Sequence, residues 1–166
     1  MAAAQAIERR ADDVLGVETR RLFYAEMLPG IADLLKPHIF RNTAPPHRLL
    51  GTAMWPKTRR ILGQVFAATP TAAADSRARL GVELDWLDDR LADGRRFLVG
   101  DRFSRVDLTV ASLLAFFARS RQADKYRAMP LPPALAEDVA RWRTRPVMQW
   151  VNGIYQSHRG PRSKPA

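Results

Sequence analysis

The sequence predicts an all-α protein built as a single bundle of six to eight helices. Apolar residues recur at the helical period along most of the 166 residues, and no alternating strand pattern of useful length occurs. Prolines and glycines separate the periodic segments, as they do between the helices of a bundle. The length suits one domain whose core needs no cross-links. We therefore assign residues 1–158 to one helical domain and residues 159–166 to a disordered basic tail.

The first third of the chain predicts two helical segments and a loop. The first segment covers residues 5–28, with Gly16 as a kink, and Pro29-Gly30 is expected to end it. A shorter apolar piece, residues 31–40, follows. Two adjacent prolines indicate that residues 42–47 form a loop.

Two longer helices come next. In residues 49–66 the interior Pro56 indicates that the regular helix begins near Trp55, because proline is best tolerated in a first turn. Residues 72–92 contain the clearest apolar stripe of the chain, and Asp93-Gly94 closes this helix. The stripe consists of Leu80, Leu84, Leu87 and Leu91.

The stretch FLVGDRFSRVDLTVA, residues 97–111, makes a glycine turn and then opens a helix through a capping box. Ser104 at the N-cap accepts from the backbone N–H three residues on, while Asp107 reaches back to the N–H of Ser104. From Val106 to Ala118 the only charged residue is Asp107. This helix is therefore apolar all round and is expected in the middle of the bundle.

Shorter elements complete the bundle. Residues 120–127 predict a helical turn, and the prolines of residues 129–133 predict a connection. Residues 134–142 form a short helix, and Arg145-Pro146 opens a last one, since proline suits a first turn. The apolar face of that last helix consists of Val147, Trp150, Val151, Ile154 and Tyr155.

Composition argues against several classes of site and partner. The chain has no cysteine, and its three histidines lie apart without an HExxH pattern, so we expect no disulfide and no metal site. No window reaches the roughly 20 apolar residues of a spanning helix, and no signal peptide is visible, so we expect a cytoplasmic protein without a membrane partner. The net charge of +10 raises a nucleic-acid binder as an alternative, but no compact basic block with interleaved aromatics supports it.

Taken together, the motifs resemble the C-terminal, all-helical domain of cytosolic glutathione S-transferases. The resemblance covers about residues 5–158 and is densest over residues 80–118. It implies that this chain folds as a helical bundle similar to that domain. The features that carry it, in order, are the leucine-striped helix ending in Asp93-Gly94, the FLVGDRFS turn, the Ser104/Asp107 box, the apolar central helix and Arg145-Pro146.

A complete transferase of this family also has a preceding thioredoxin-like domain, which holds the residue that activates the glutathione thiol. This sequence contains no strand-helix-strand pattern, so the resemblance implies the helical half, which supplies the electrophile pocket and part of the dimer interface. It implies glutathione as a co-substrate that is not covalently bound, and a homodimer or a thioredoxin-like partner half. Conjugation is expected only when that half is supplied, and we assign no catalytic residue to this chain.

The resemblance places the helical wall of a pocket for an apolar small molecule on the first long helix and the central one. Candidates for this wall are Phe23, Tyr24, Met27 and Phe116, although such residues at helical spacing more often pack in a core. Without the other half, Phe23 and Met27 are expected to form exposed apolar surface that self-association covers. Arg20 and Arg21 are candidates for an anionic group such as a glutathione carboxylate, or else part of a solvated face.

Three functions therefore stay open. The first is a glutathione S-transferase-like protein whose helical half binds the electrophile and dimerises. The second is a non-catalytic helical module that binds protein partners or apolar ligands. The third is a basic anion or nucleic-acid binder. A thioredoxin-like coding stretch in frame and upstream would favour the first over the second.

Overall fold

The computed structural model describes residues 2–40, 43–127 and 129–159. Within these ranges the regular structure is entirely helical, and no described helix is long and apolar enough to cross a membrane. The all-α prediction is thus confirmed, while the tail from residue 160 lies outside the described residues. The helices are α1 (Ala2–Arg10), α2 (Gly16–Ile39), α3 (Pro45–Val65), α4 (Pro70–Leu91), α5 (Arg105–Ala118), α6 (Asp124–Arg127), α7 (Pro133–Trp142) and α8 (Pro146–His158).

Helices α1 and α2 form one continuous helix, joined by a π-helical turn at Ala11–Leu15. The kink predicted at Gly16 corresponds to this turn, which ends at the residue before it. A Cβ at position 16 would lie 3.1 Å from the carbonyl oxygen of Ala11, so glycine lets the backbone close up there without a shift.

The predicted end of the first helix at Pro29-Gly30 is wrong, because α2 continues through both residues to its end at Ile39. A proline inside a helix removes one backbone hydrogen bond and disturbs the preceding turn. Here Met27 and Leu28 are buried just before it, and α2 packs along α4 more extensively than any other described pair of helices. Such tertiary packing outweighs the local preference of proline. The piece predicted at residues 31–40 is therefore the last part of α2, apart from Phe40.

Helix α3 begins at Pro45, so prolines that were assigned to a loop form the first turn of a helix. Proline suits that turn because the first N–H groups have no partner within the helix. The predicted start near Trp55 is also wrong, since α3 runs through Pro56 without a break. Pro56 has no N–H to donate to the carbonyl oxygen of Thr52. Both residues are exposed, so water can donate to that oxygen instead.

Helix α4 presents the predicted leucine stripe to the core, and all four leucines are buried. Its N-cap is Thr69, whose Oγ1 accepts from the backbone N–H of Ala72 at 3.1 Å. After the helix, Gly94 takes φ +77°, a left-handed conformation that glycine adopts without steric cost. The predicted end at Asp93-Gly94 is therefore confirmed.

Helix α5 lies against α8 and also contacts α1, α2 and α7. Most of its residues are buried, as its apolar composition predicts. The prediction that it is enclosed on all sides is wrong on one side, where Leu108 is 56% exposed and Ser112 is also exposed. The bundle around α5 is thus open along this edge.

Ser104 and Asp107 form a capping box at the start of α5, and the carboxylate of Asp107 makes a further hydrogen bond that the sequence does not predict. The backbone N–H of Ser104 donates to Asp107 Oδ2 at 2.9 Å, and the Ser104 hydroxyl donates to the same oxygen at 2.6 Å. The other carboxylate oxygen, Oδ1, accepts from the backbone N–H of Leu98 at 2.7 Å. Asp107 is fully buried. One carboxylate therefore joins the turn after α4 to the beginning of α5.

Helix α8 begins at Pro146, as the sequence predicts, but its first turn is held by α4. The backbone N–H of Val147 donates to Asp88 Oδ1 at 2.7 Å. Arg145, at the N-cap, donates through Nε to the other oxygen of Asp88 at 2.7 Å and pairs with Asp85 as well. An acidic side chain at a helix N-terminus is favourable because it faces unpaired N–H groups.

We expect the Asp107→Ala variant to lose about 3 kcal/mol of its free energy of unfolding, because three donors lose a buried acceptor. Denaturant titration followed by circular dichroism measures this loss. The control is Asp101→Ala, an exposed position in the same turn, which should change the stability by less than about 0.5 kcal/mol. Equal midpoints for the two variants would contradict a stabilising role for the box.

Candidate functional site

Three of the four pocket candidates lie together in a cluster of aromatic rings. Phe23 meets Tyr24 and Phe116 edge to face, with ring centroids 5.2 and 4.9 Å apart. Tyr24 stacks on Phe66 at 4.2 Å, and Phe116 meets Tyr126 at 5.8 Å. These five residues, which we call the aromatic cluster, join α2, α5, α6 and the residue that follows α3. The sequence did not single out Phe66, which ends the predicted segment 49–66 and lies just after the last residue of α3, Val65.

The fourth candidate, Met27, lies in the core and is completely buried. Phe23 is partly buried and packs against the same core. The expectation that both form exposed apolar surface is therefore wrong for Met27, since the other helices of this chain already cover it. The rings of the aromatic cluster are in contact with one another, and their role in a pocket stays a prediction.

The two arginines proposed for an anionic group lie in different surroundings. Arg21 donates to both carboxylate oxygens of Glu18, at 3.0 and 3.1 Å, while Arg20 is exposed. Glu18 is itself buried and accepts from the Ser76 hydroxyl at 2.6 Å. Arg21 is thus already the counter-charge of a buried acid, and an added anion would compete with that acid.

A cavity of about 670 Å³ lies between α2 and α3 and is open to solvent over much of its extent. Two of its lining residues are the prolines that interrupt the helical pattern, Pro29 of α2 and Pro56 of α3. Sequence reasoning missed this cavity, because it exists only when both helices continue past those prolines. The complete lining is Leu28, Pro29, Trp55, Pro56, Arg59, Arg60, Gly63 and Ala68.

The cavity combines apolar walls with positive charge. Arg59 and Arg60 are both exposed, and Arg59 Nη2 donates to the carbonyl oxygen of Pro29 at 3.5 Å, a long contact. None of the lining residues described above is acidic. Trp55 is buried, and among the described residues its indole Nε1 has no hydrogen-bond partner. The lining therefore offers apolar contact and two cations, while the indole N–H of Trp55 is itself enclosed by protein.

The lining holds no group suited to proton transfer, since it contains no acid, histidine, tyrosine or hydroxyl among these residues. In the part of the chain that is described, no three acidic, histidine or cysteine side chains are grouped so as to hold a metal ion. What this arrangement can do chemically is bind and orient a molecule.

A substitution of Phe116 tests whether the aromatic cluster packs as a core or contacts a ligand. If it packs as the structure indicates, Phe116→Ala should lower the free energy of unfolding by about 3 to 5 kcal/mol, because it leaves a void among other rings. Leu108→Ala, on the exposed edge of the same helix, should cost less than about 0.5 kcal/mol. Chemical denaturation measures both, and a small loss for Phe116→Ala would show that the cluster is not a packed core.

Comparison with known proteins finds a similarity over part of this chain. Residues 70–145 match the family model described as "Glutathione S-transferase, C-terminal domain". No curated protein and no solved structure matches the chain. The matched segment begins at Pro70, the first residue of α4, and ends at Arg145, the N-cap of α8. It thus includes the leucine stripe, the glycine turn, the capping box and α5, which carried the resemblance at the sequence level. Residues 70–145 of this all-helical chain are therefore similar to the C-terminal domain of glutathione S-transferases.

Proposed function

We propose that this chain is the helical, ligand-binding half of a glutathione S-transferase-like protein. In this proposal an apolar or aromatic molecule that carries an anionic group binds in the cavity between α2 and α3. The observation that carries the proposal is the cavity itself, with apolar walls and two arginines. Its volume lies within the range of about 300 to 1,000 Å³ that is typical of small-molecule sites.

The apolar walls of the cavity favour a ligand with an apolar part. Leu28, Pro29 and Pro56 offer aliphatic surface, and Trp55 offers the largest ring. Gly63 has no side chain, and a Cβ built there meets no atom within 4 Å, so this part of α3 is open. A flat aromatic molecule would exchange water for contact with these residues, which is favourable in proportion to the apolar area covered.

The positive charge of the cavity favours a ligand that carries an anionic group. Helix α3 contains four basic residues and no acid, so Arg59 and Arg60 have no counter-charge on their own helix. An arginine can hold a carboxylate or sulfonate through two hydrogen bonds.

The proposal also covers the reaction in which this helical chain would take part. Thiol activation needs a donor or cation close to the glutathione sulfur, and no residue of the cavity lining is assigned that task. We infer that glutathione enters only as a co-substrate held by a thioredoxin-like half. The helical chain then holds and orients the electrophile. These separate roles of the two halves are compatible with a homodimer but do not require one.

Filling the cavity should abolish binding of an aromatic anion. We expect Gly63→Leu to weaken binding of anilinonaphthalenesulfonate at least about tenfold, equivalent to about 1.4 kcal/mol, because the new side chain occupies the open part of the cavity. Dye fluorescence measures the affinity. The control is Gly153→Leu, since Gly153 is an exposed helical glycine outside the lining with equally open space around its Cβ.

Both glycine variants gain helix propensity, so a difference between them reports the cavity rather than stability. Dye bound to exposed apolar residues elsewhere is common to the wild type and both variants. Equal affinities in all three proteins would overturn the assignment of the cavity as the ligand site.

The charge of the ligand is tested with a pair of dyes. We expect Arg60→Gln to weaken binding of anilinonaphthalenesulfonate about fivefold, corresponding to about 1 kcal/mol, because one cation is removed from the cavity. Binding of phenylnaphthylamine, which lacks the sulfonate, should stay unchanged. Arg143→Gln is the control for net charge, since Arg143 is exposed outside the cavity. Equal losses for both dyes would show that Arg60 contributes packing and not charge recognition.

A further inference from the structure

Helix α3 is attached to the rest of the bundle by very few buried side chains. Every residue of α3 is described, and Trp55 is the one that is buried. Among the described helices, α3 packs chiefly on α2. Trp55 also lines the cavity. The position of this side chain therefore affects both how α3 lies on α2 and how the cavity is shaped.

The ring of Phe40 packs on Trp55. Phe40 directly follows the last residue of α2, Ile39, and its ring meets that of Trp55 edge to face with 6.3 Å between the centroids. This distance lies within the range of favourable aromatic pairs. Phe40 is not among the lining residues of the cavity. It thus contacts Trp55 without forming part of the cavity wall.

Gly51 leaves the space that the Phe40 ring occupies. Gly51 lies four residues before Trp55, so both positions share one face of α3. A Cβ built on Gly51 would lie 2.5 Å from Cε1 and 2.8 Å from Cζ of Phe40. These distances are well below van der Waals contact, so even an alanine at this position would displace the ring. The absence of a side chain at position 51 therefore lets Phe40 reach Trp55.

A second aromatic contact holds the other end of α3. Tyr24 of α2 stacks on Phe66, the residue that follows α3, with 4.2 Å between the centroids. The lining residues of α2 lie between Tyr24 and Phe40 in sequence, and those of α3 other than Trp55 itself lie between Trp55 and Phe66. The two ring contacts therefore join α2 and α3 on either side of the cavity residues.

We propose that Phe40 is a positioning residue for the ligand cavity, which holds Trp55 in place and thereby sets the size of aromatic ligand that the cavity accepts. This inference rests on the proposed function, because it concerns the same cavity. The ligand touches Trp55 and not Phe40. A closely packed wall selects ligands by size, since a ligand that is too large must displace the wall.

Removal of the Phe40 ring tests the proposal with dyes of two sizes. The dyes are anilinonaphthalenesulfonate and its larger covalent dimer. We expect Phe40→Ala to raise the ratio of the affinity for the dimer to the affinity for the monomer about fivefold, because Trp55 can then move away from the cavity. The control is Phe103→Ala, which removes an exposed ring that stacks on His158 outside the cavity and should leave the ratio unchanged.

Gly51→Ala disturbs the same contact without removing a ring. The added methyl group displaces Phe40 from Trp55, so the ratio of affinities should rise in this variant as well. The matched control is Gly81→Ala, because Gly81 is also a half-buried helical glycine and a Cβ built on it meets no atom within 4 Å. Both variants gain helix propensity, so a difference between them reports the displacement of the Phe40 ring.

The position of α3 can also be measured without a ligand. The chain has no cysteine, so cysteines introduced at the exposed residues Arg20 of α2 and Ala53 of α3 would carry the only two spin labels. The distribution of distances between the labels should widen in Phe40→Ala and in Gly51→Ala, because α3 is then held less firmly on α2. It should stay unchanged in both controls.

The two readouts separate failure of this inference from failure of the proposed function. Dye binding with unchanged distances and unchanged affinity ratios would refute the role of Phe40 alone. Changes of equal size in the variants and their controls would refute it as well. Altered distances in a protein whose wild type binds neither dye would refute the ligand cavity itself, and with it the selection of ligands by size.

Discussion

The buried carboxylate of Asp107 holds the turn after α4 and the start of α5 in one mutual position, and the arrangement of the bundle depends on it. Its two oxygens accept from Leu98 on one side and from Ser104 on the other. A buried carboxylate is tolerated only when hydrogen bonds replace the water it has lost. Any other position of the turn would leave Oδ1 without the N–H donor of Leu98. The turn therefore directs α5 into the core, where its apolar residues join those of α4 and α8 in one cluster.

The polar residues of helix α4 fix the positions of the other helices that pack around it. Ser76 donates to the buried Glu18 of α2, and Arg77 pairs with Glu26 of α2 and with Asp138 of α7. Asp88 accepts from the first turn of α8. The leucines of α4 supply apolar contact that is not directional, whereas these paired charges set the rotation of each neighbouring helix. The family match over residues 70–145 thus covers the helix around which α2, α7 and α8 are arranged.

The cavity that we propose as the ligand site lies outside that matched segment, between α2 and α3, and both helices continue through an interior proline. Helix α3 lines this cavity with apolar and basic residues. The same helix leaves apolar residues in solvent, which costs solubility unless a surface covers them.

The sequence by itself determined the helical class, the leucine stripe, the capping box and the starts of α5 and α8. Each of these depends on residues within a turn or two of one another, so local preferences are sufficient to specify them. The tertiary structure alone decided that Pro29 and Pro56 lie inside helices, that Met27 is buried and that the cavity lies between α2 and α3. The lost hydrogen bond of a proline is a local cost, but the packing that offsets it comes from residues distant in the chain. Sequence patterns show the local cost of a proline but not the distant packing that offsets it, so they predicted helix ends at positions where the helices of the protein continue.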